Sequence, residues 1–348
     1  MEFWMGLHGM QSPTTCPRSF TWMYDEVLKH AVEAERMGFD GFALTEHHFW
    51  YDGYCPSLMP VLAGIARRTE RIKILPLALL LPLRNPLRVA EEIAMVDQLS
   101  HGRLALGFGY GYRTEEFEGF ELDKKGRGTR FSEQIEVLRS AFAQESFSHN
   151  GEYYSYDDVA LSLKPVQNPH PPFWLAGGTQ AATARRAGRA GVSYCVAGTG
   201  QPPEQIEALI GEYKAAANEA GVPEDQQKVG VAVDTLVTET KEELDQIIAE
   251  DLVPVFCEQL AAFGFVREPD GTPVRELPPD HPMFEFLFNS FVMGTPEDAV
   301  IKIKRLESMG CSVFFPRIVE ANFRSERILK IMKLFSDEVL PHFGKGGT

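Results

Sequence analysis

Short apolar runs alternate along this chain with longer stretches in which apolar residues recur every three to four positions, the pattern of buried strands interleaved with amphipathic helices. The run FWMGL, Phe3 to Leu7, reads as a first strand, and a helix follows from about Thr21 to Met37, ended by Gly38. Strand DGFALT and helix SLMPVLAGIARRT form the next unit, then strand IKILPLALL and helix PLRVAEEIAMVDQLS, whose Pro86 suits a first helical turn. Strand RLALGFG and helix GTRFSEQIEVLRSAFA come after it, with a hairpin-like insert near Gly151 to Leu163. The rhythm continues through strand PFWLAGG, helix TQAATARRAGRAG, strand VSYCVAG, helix PEQIEALIGEYKAAANEAG and strand KVGVAVDTLV. Near the end, helix TPEDAVIKIKRLESMG precedes strand CSVFFPRI.

Eight strand candidates, nearly all separated by helices, predict a parallel α/β sheet and, at this count, a closed (β/α)8 TIM barrel rather than an open doubly wound sheet. The stretch from about 251 to 293 breaks the rhythm. It reads as an insertion in a single barrel domain spanning 1–348, not as a second domain. Within it, residues 264 to 282, GFVREPDGTPVRELPPDHP, are proline-rich and charged and bury little, which suggests a mobile lid. Phe256, Phe263, Phe265, Phe284, Phe286 and Phe288 on either side could close on a ligand. A surface excursion or a dimer contact is the alternative.

Composition narrows the partners. With 34 basic and 49 acidic residues the net charge is −15, which opposes attraction to nucleic acid or an anionic membrane. No run approaches the roughly 18 uninterrupted apolar residues of a membrane span. The N-terminus MEFWMGLHGM lacks a basic region followed by an apolar one, so a cytoplasmic protein is expected. Five cysteines with no Cys-x-x-Cys pair argue against a disulfide framework or a thiolate zinc site.

Candidate chemistry gathers where strands end. Residues 44 to 49, LTEHHF, close the second strand, and barrel active sites form at the C-terminal ends of strands. Adjacent residues on an extended chain point in opposite directions, so one of His47 and His48 faces the mouth and the other packs behind it. A chelating pair is disfavoured, and no metal motif accompanies it. Two readings stay open: Glu46 and the histidines as a packing cluster, or an imidazole held by a carboxylate for proton transfer. LGFGYGYR, with Gly107, Gly109 and Gly111, would let backbone N–H groups approach an anion, or would relieve crowding at a turn. LAGGTQAAT leads Gly177, Gly178 and Thr179 into a helix near Gln180, a ready phosphate site unless Thr179 is simply an N-cap.

The segments GFDGFALTEHHF, LLPLRNPLRVAEEIAMVDQLSHGRLALGFGYGYRTEEFEGF, HPPFWLAGGTQAATARRAGRAG and GTPEDAVIKIKRLESMG resemble the bacterial-luciferase-like family of flavin-dependent monooxygenases. The resemblance implies a (β/α)8 barrel that binds reduced FMN, supplied by a separate NAD(P)H-dependent flavin reductase, and activates dioxygen as a flavin hydroperoxide to oxidise an apolar or aromatic small molecule. It implies that His47 is catalytic, held by Glu46 and His48, and that Leu77 and Ala78 lie against the flavin ring across a non-proline cis peptide. Gly177, Gly178, Thr179 and Thr183 would surround the phosphate, with Gly109 and Gly111 beside them. Tyr110 stands where many relatives carry a phosphate-binding arginine, and Arg113 is the expected substitute. The family usually forms dimers, either of one chain or with a related one. Two other readings remain: an F420-dependent hydride transferase of the same fold, and a non-catalytic flavin-binding relative.

Overall fold

The computed structural model describes residues 1–264, 266–267, 270–318 and 324–344. Each helix forms where apolar residues recur at helical spacing. In α1 (Phe20–Arg36), Met23, Val27, His30, Ala31 and Ala34 make the buried stripe. Strand β1 (Glu2–His8) precedes it, and β2 (Gly41–Leu44), α2 (Leu58–Arg68), β3 (Lys73–Pro76) and β4 (Leu79–Leu80) follow. Helix α3 (Pro86–Leu99) starts at Asn85, whose side chain accepts from the N–H groups of Leu87 and Arg88. Next come β5 (Leu106–Gly109), α4 (Thr114–Gly119), α5 (Arg127–Ala143) and a hairpin of β6 (Phe147–Asn150) and β7 (Ser155–Val159). Then β8 (Phe173–Ala176), α6 (Ala181–Arg189), β9 (Ser193–Ala197), α7 (Pro203–Glu219) and β10 (Val229–Val237) alternate.

The parallel strands run in the order β3-β2-β1, then β12 (Val313–Ile318), then β10-β9-β8-β5-β4. The path closes on itself between β3 and the residues leading into β5: the Ile74 N–H donates to Arg103 O at 3.1 Å and the Ala105 N–H to Ile74 O at 2.9 Å. The result is a nearly closed parallel barrel. The run IKILPLALL, read as one strand, is divided between β3 and β4 at the Leu77–Ala78 peptide, which is cis.

Side chains of alternate strand residues fill the interior. Trp4, Trp174 and Phe315 meet with ring centroids 5.8 to 6.0 Å apart, surrounded by the small Ala43, Ala105 and Ala232. Three large rings leave no pore through the barrel, and active sites of this architecture form at the mouth.

Residues 251–293 are more ordered than their composition suggests. Helix α8 (Lys241–Ile247) passes through a π turn into α9 (Val253–Phe263), and α10 (Met283–Ser290) leads to β11 (Val292–Gly294), which pairs with β10. Val266, Leu277 and Phe284 form a small buried cluster between α9 and α10, so the segment expected to bury little carries an apolar centre of its own. Phe265, Glu268 and Pro269 lie outside the described residues. Helix α11 (Pro296–Ser308) begins with a capping box between Thr295 and Asp298. The sequence reading missed α4, α8, α9, α10 and α12 (Ser325–Glu338). Phe335 of α12 packs 5.9 Å from Phe3 and 6.0 Å from Phe39. Among the described residues no helix is long and apolar enough to cross a membrane.

Candidate active site

After β2 the chain leaves the barrel mouth through Thr45, Glu46, His47 and His48, and the two imidazoles part. His47 lines a cavity of about 470 Å3 together with Tyr54, Tyr112 and Phe263. His48 packs instead against Phe120, at 4.8 Å. His47 Nδ1 lies 2.8 Å from Glu116 Oε1, and the same oxygen accepts the His48 backbone N–H at 3.0 Å. Facing a carboxylate, Nδ1 takes the proton, which leaves Nε2 toward the cavity, where the Tyr112 hydroxyl is 3.3 Å away.

The carboxylate that orients His47 is therefore Glu116 of α4, not the adjacent Glu46. Glu46 is buried and committed elsewhere: it accepts from the Leu80 N–H at 2.8 Å and from Arg84 Nη2 at 2.9 Å, tying β2 to β4. His48 Nε2 stays 3.7 Å from it. Burial works to raise the Glu116 carboxyl, but the bonds from His47 and His48 and the nearby charges of His47 and Arg113 outweigh it, and the pKa lies below the ordinary carboxylate value. The segment YRTEEFEG showed glutamates near this loop, but only the fold reveals which one turns inward.

Leu77 and Ala78 form a shelf at the end of β3. A side chain on Gly109 would place its Cβ 3.0 Å from the Ala78 Cβ, and one on Gly107 would meet Pro76 O at 2.5 Å. These two glycines thus let β5 pack against the shelf. Gly111, at φ +68°, makes the turn that follows.

The loop after β8 is open. Gly178 takes φ +53° with nothing within 4 Å of where a side chain would start. Gly178 and Thr179 are exposed, and Thr183 is half-buried. Thr179 is not the N-cap of α6: Gln180 holds that position and makes no capping bond. A helix end with uncapped N–H groups beside a glycine and two hydroxyls fits a phosphate.

Arg113 does not serve this loop. Its guanidinium lies 4.0 Å over the Trp50 ring and donates to His48 O at 2.9 Å, so it braces the histidine loop. Arg186 of α6 is the arginine that reaches Tyr110: Nη1 donates to the Tyr110 hydroxyl at 2.8 Å, and its guanidinium lies 5.4 Å from the ring centre. Three residues after Thr183 on one helix, it falls on the same face. Sequence spacing favoured Arg113 because it is near Tyr110 in the chain; α6 brings Arg186 nearer in space. Among the described residues no group of three or more His, Cys, Asp or Glu side chains is placed to hold a metal ion.

The model of the family described as luciferase-like monooxygenase matches residues 5–312. An FMNH2-dependent dimethylsulfone monooxygenase of Pseudomonas putida is 27% identical over 338 residues, covering 92% of this chain and 88% of the relative. An F420-dependent glucose-6-phosphate dehydrogenase of Segniliparus rotundus is 33% identical over 204 residues, 56% of this chain and 60% of the relative. In fold, the oxygenating constituent of 3,6-diketocamphane monooxygenase from Pseudomonas putida, solved with FMN, superposes with a TM-score of 0.81 at 21% identity, covering 98% of each chain. With the family match running through nearly the whole barrel, the chain belongs to the luciferase-like monooxygenase family.

Proposed function

We propose that the protein is a flavin-dependent monooxygenase that uses reduced FMN and dioxygen to oxidise an apolar or aromatic small molecule. The observation that carries this reading is His47, fixed by Glu116 on one side and open on the other to a cavity lined in part by aromatic and aliphatic side chains. The ring would rest on Leu77, Ala78 and Gly109. Gly177, Gly178, Thr179 and Thr183 would hold the phosphate, with Arg186 and Tyr110 closing the side that Arg113 was expected to close. The bound flavin supplies the electron pair that activates dioxygen. His47 Nε2 gives or takes the proton at that face, and Tyr112 fixes where it points. Tyr54, Tyr112 and Phe263 keep water from the imidazole.

Residues 251–293 act in this reading as an insertion over the mouth of one barrel domain. Phe256, Leu260 and Phe263 of α9 and Leu287 of α10 form part of the cavity wall, which supports a lid role for the segment 264–282 between them. A separate NAD(P)H-dependent reductase supplies the reduced flavin, and the working form is a dimer, of this chain or with a related one.

Anaerobic titration with FMN and with F420, followed by absorbance, tests the assignment. Saturable binding of reduced FMN supports it. Tight F420 binding without FMNH2 binding overturns it in favour of hydride transfer, the reading that the F420-dependent relative favours. A third result, flavin bound with no oxidation of any tested compound, favours a non-catalytic carrier.

A further inference from the structure

Among the described residues that line the cavity beside His47, Arg317 carries the one guanidinium, and no ammonium accompanies it. It stands in β12, opposite Asp234 of the paired strand β10. Arg317 lies beyond the matched residues 5–312, so membership of the family does not assign it.

The pair is asymmetric. Asp234 is buried at 2% exposure and accepts from Arg317 Nε at 2.7 Å, from Arg317 Nη2 and from the Thr199 hydroxyl at 2.7 Å. The Asp234 backbone N–H donates back to the Thr199 hydroxyl at 3.0 Å. The carboxylate is thus fully engaged from behind. The Arg317 side chain keeps 40% of its surface open, and Nη1 makes no hydrogen bond among the described residues. Here the inner edge is clamped and the outer edge is presented to the cavity. That outer edge offers two parallel N–H donors, the planar fork that matches a carboxylate or sulfonate.

Its position relative to His47 follows from two rings. Tyr54 and Tyr112 pack edge-on against the imidazole at 4.8 and 5.4 Å. Burial raises both phenols, and the positive charge of Arg317 pulls each the other way. The guanidinium is therefore within electrostatic reach of the same rings that touch His47. Phe256, Leu260, Phe291 and Leu7 give the wall apolar area, the amides of Gln11 and Gln259 and the Thr199 hydroxyl are neutral, and among the described residues Asp234 is its one carboxylate.

We propose that the substrate is an aromatic or apolar oxyanion, a carboxylate or sulfonate whose acid group docks on the outer edge of Arg317 while its body extends among the rings toward His47. This rests on the cavity being the oxidation site. Asp234 and Thr199 are positioning residues, holding the guanidinium at the one angle that presents its free edge.

Calorimetric titration of the FMN-loaded protein with benzoate, benzenesulfonate and neutral benzamide tests it. Both anions should bind at least about tenfold more tightly than benzamide, the margin of a charge-assisted pair over a neutral contact. Arg317→Met should erase the preference, and Arg317→Lys should keep part of it. Because Arg317→Met leaves Asp234 unpaired, the double variant Arg317→Met with Asp234→Asn is measured beside it and should lose the preference equally. Equal binding of benzamide, no binding of any of the three, or an anion preference that survives in both variants overturns the proposal. FMN affinity is measured in the same samples, so a protein that fails to bind flavin yet prefers the anions separates failure of the flavin reading from failure of this one.

Discussion

The loop after β2 and the loop after β8 both leave the barrel at its mouth, yet they are built in opposite ways. The first is closed: Glu46 and His48 are buried, His47 is held through Glu116, and Arg113 clamps the turn between His48 O and Trp50. The second is open: Gly178, Thr179 and Gln180 are exposed and nothing caps the helix behind them. Proton transfer needs one tautomer at one place, which a chain obtains by burying the group that fixes it. Anion capture needs free donors, which a chain keeps by leaving a helix end unsatisfied.

Breaking the closed loop should have the largest effect. Glu116→Gln keeps the shape but removes the charge that fixes the proton on Nδ1. Product formation should fall by about 10²- to 10⁴-fold, the usual span for a general acid–base group, as it should in His47→Ala. FMN affinity should hold in both. Glu46→Gln should lower the melting temperature more than it lowers turnover. If Glu46→Gln abolishes turnover while Glu116→Gln does not, the two carboxylates have been assigned the wrong way round.

Breaking the open loop should cost affinity rather than chemistry. Arg186→Ala should weaken FMN by about one to two orders of magnitude, the worth of a charge-assisted hydrogen bond, while riboflavin, which lacks the phosphate, binds as before. Arg113→Ala should do the reverse, lowering thermal stability and treating the two ligands alike. Equal weakening of FMN and riboflavin in Arg186→Ala would return Arg186 to a surface role.

The barrel was legible because its strands are buried on both faces and read as continuous apolar runs: each of the eight strand candidates lies in the barrel wall. That His47 faces the mouth cavity was legible for a local reason, its place at a strand end. What escaped were relations across the chain. Glu116 is 69 residues from His47, and Arg186 is 76 from Tyr110, and no periodicity encodes either pairing. Nearness in sequence instead favoured Glu46 and Arg113, both of which stand close to the site and brace it. Helices α9 and α10 escaped for a different reason. Many of their apolar residues pack on each other and on the cavity, and only a few, such as Val255, Phe256 and Phe288, reach the main core, so the strand–helix rhythm stops where they begin.

The segment between α9 and α10 sharpens the comparison at smaller scale, since it continues from the end of α9, where Phe263 stacks 4.1 Å from Trp50 over the closed loop. Limited proteolysis should cut within 264 to 282 faster in the free protein than with reduced FMN and an aromatic carboxylate bound. The buried cluster of Val266, Leu277 and Phe284 should confine the first cuts to the exposed turn around Asp270 and Gly271. Cleavage unaffected by ligand would leave the segment as a fixed wall.

The smallest effect expected is on stability against pH, and it isolates Glu116 from the rest of the closed loop. Its folded pKa lies below its ordinary value of 4.5. A carboxyl lowered by folding adds stability that is fully present above the unfolded pKa and is lost as pH falls through the folded one, because protonation then favours the unfolded chain. The difference in denaturation midpoint between the wild type and Glu116→Gln should therefore shrink as acid is added below 4.5. Glu133, which accepts from the Tyr153 and Tyr154 N–H groups far from this loop, is lowered in the same direction and is present in both proteins, so it cancels in the difference. A gap between the two proteins that widened as pH fell below 4.5 would mean that folding raises the Glu116 carboxyl, and that the bond to His47 is made by a neutral acid rather than by a carboxylate.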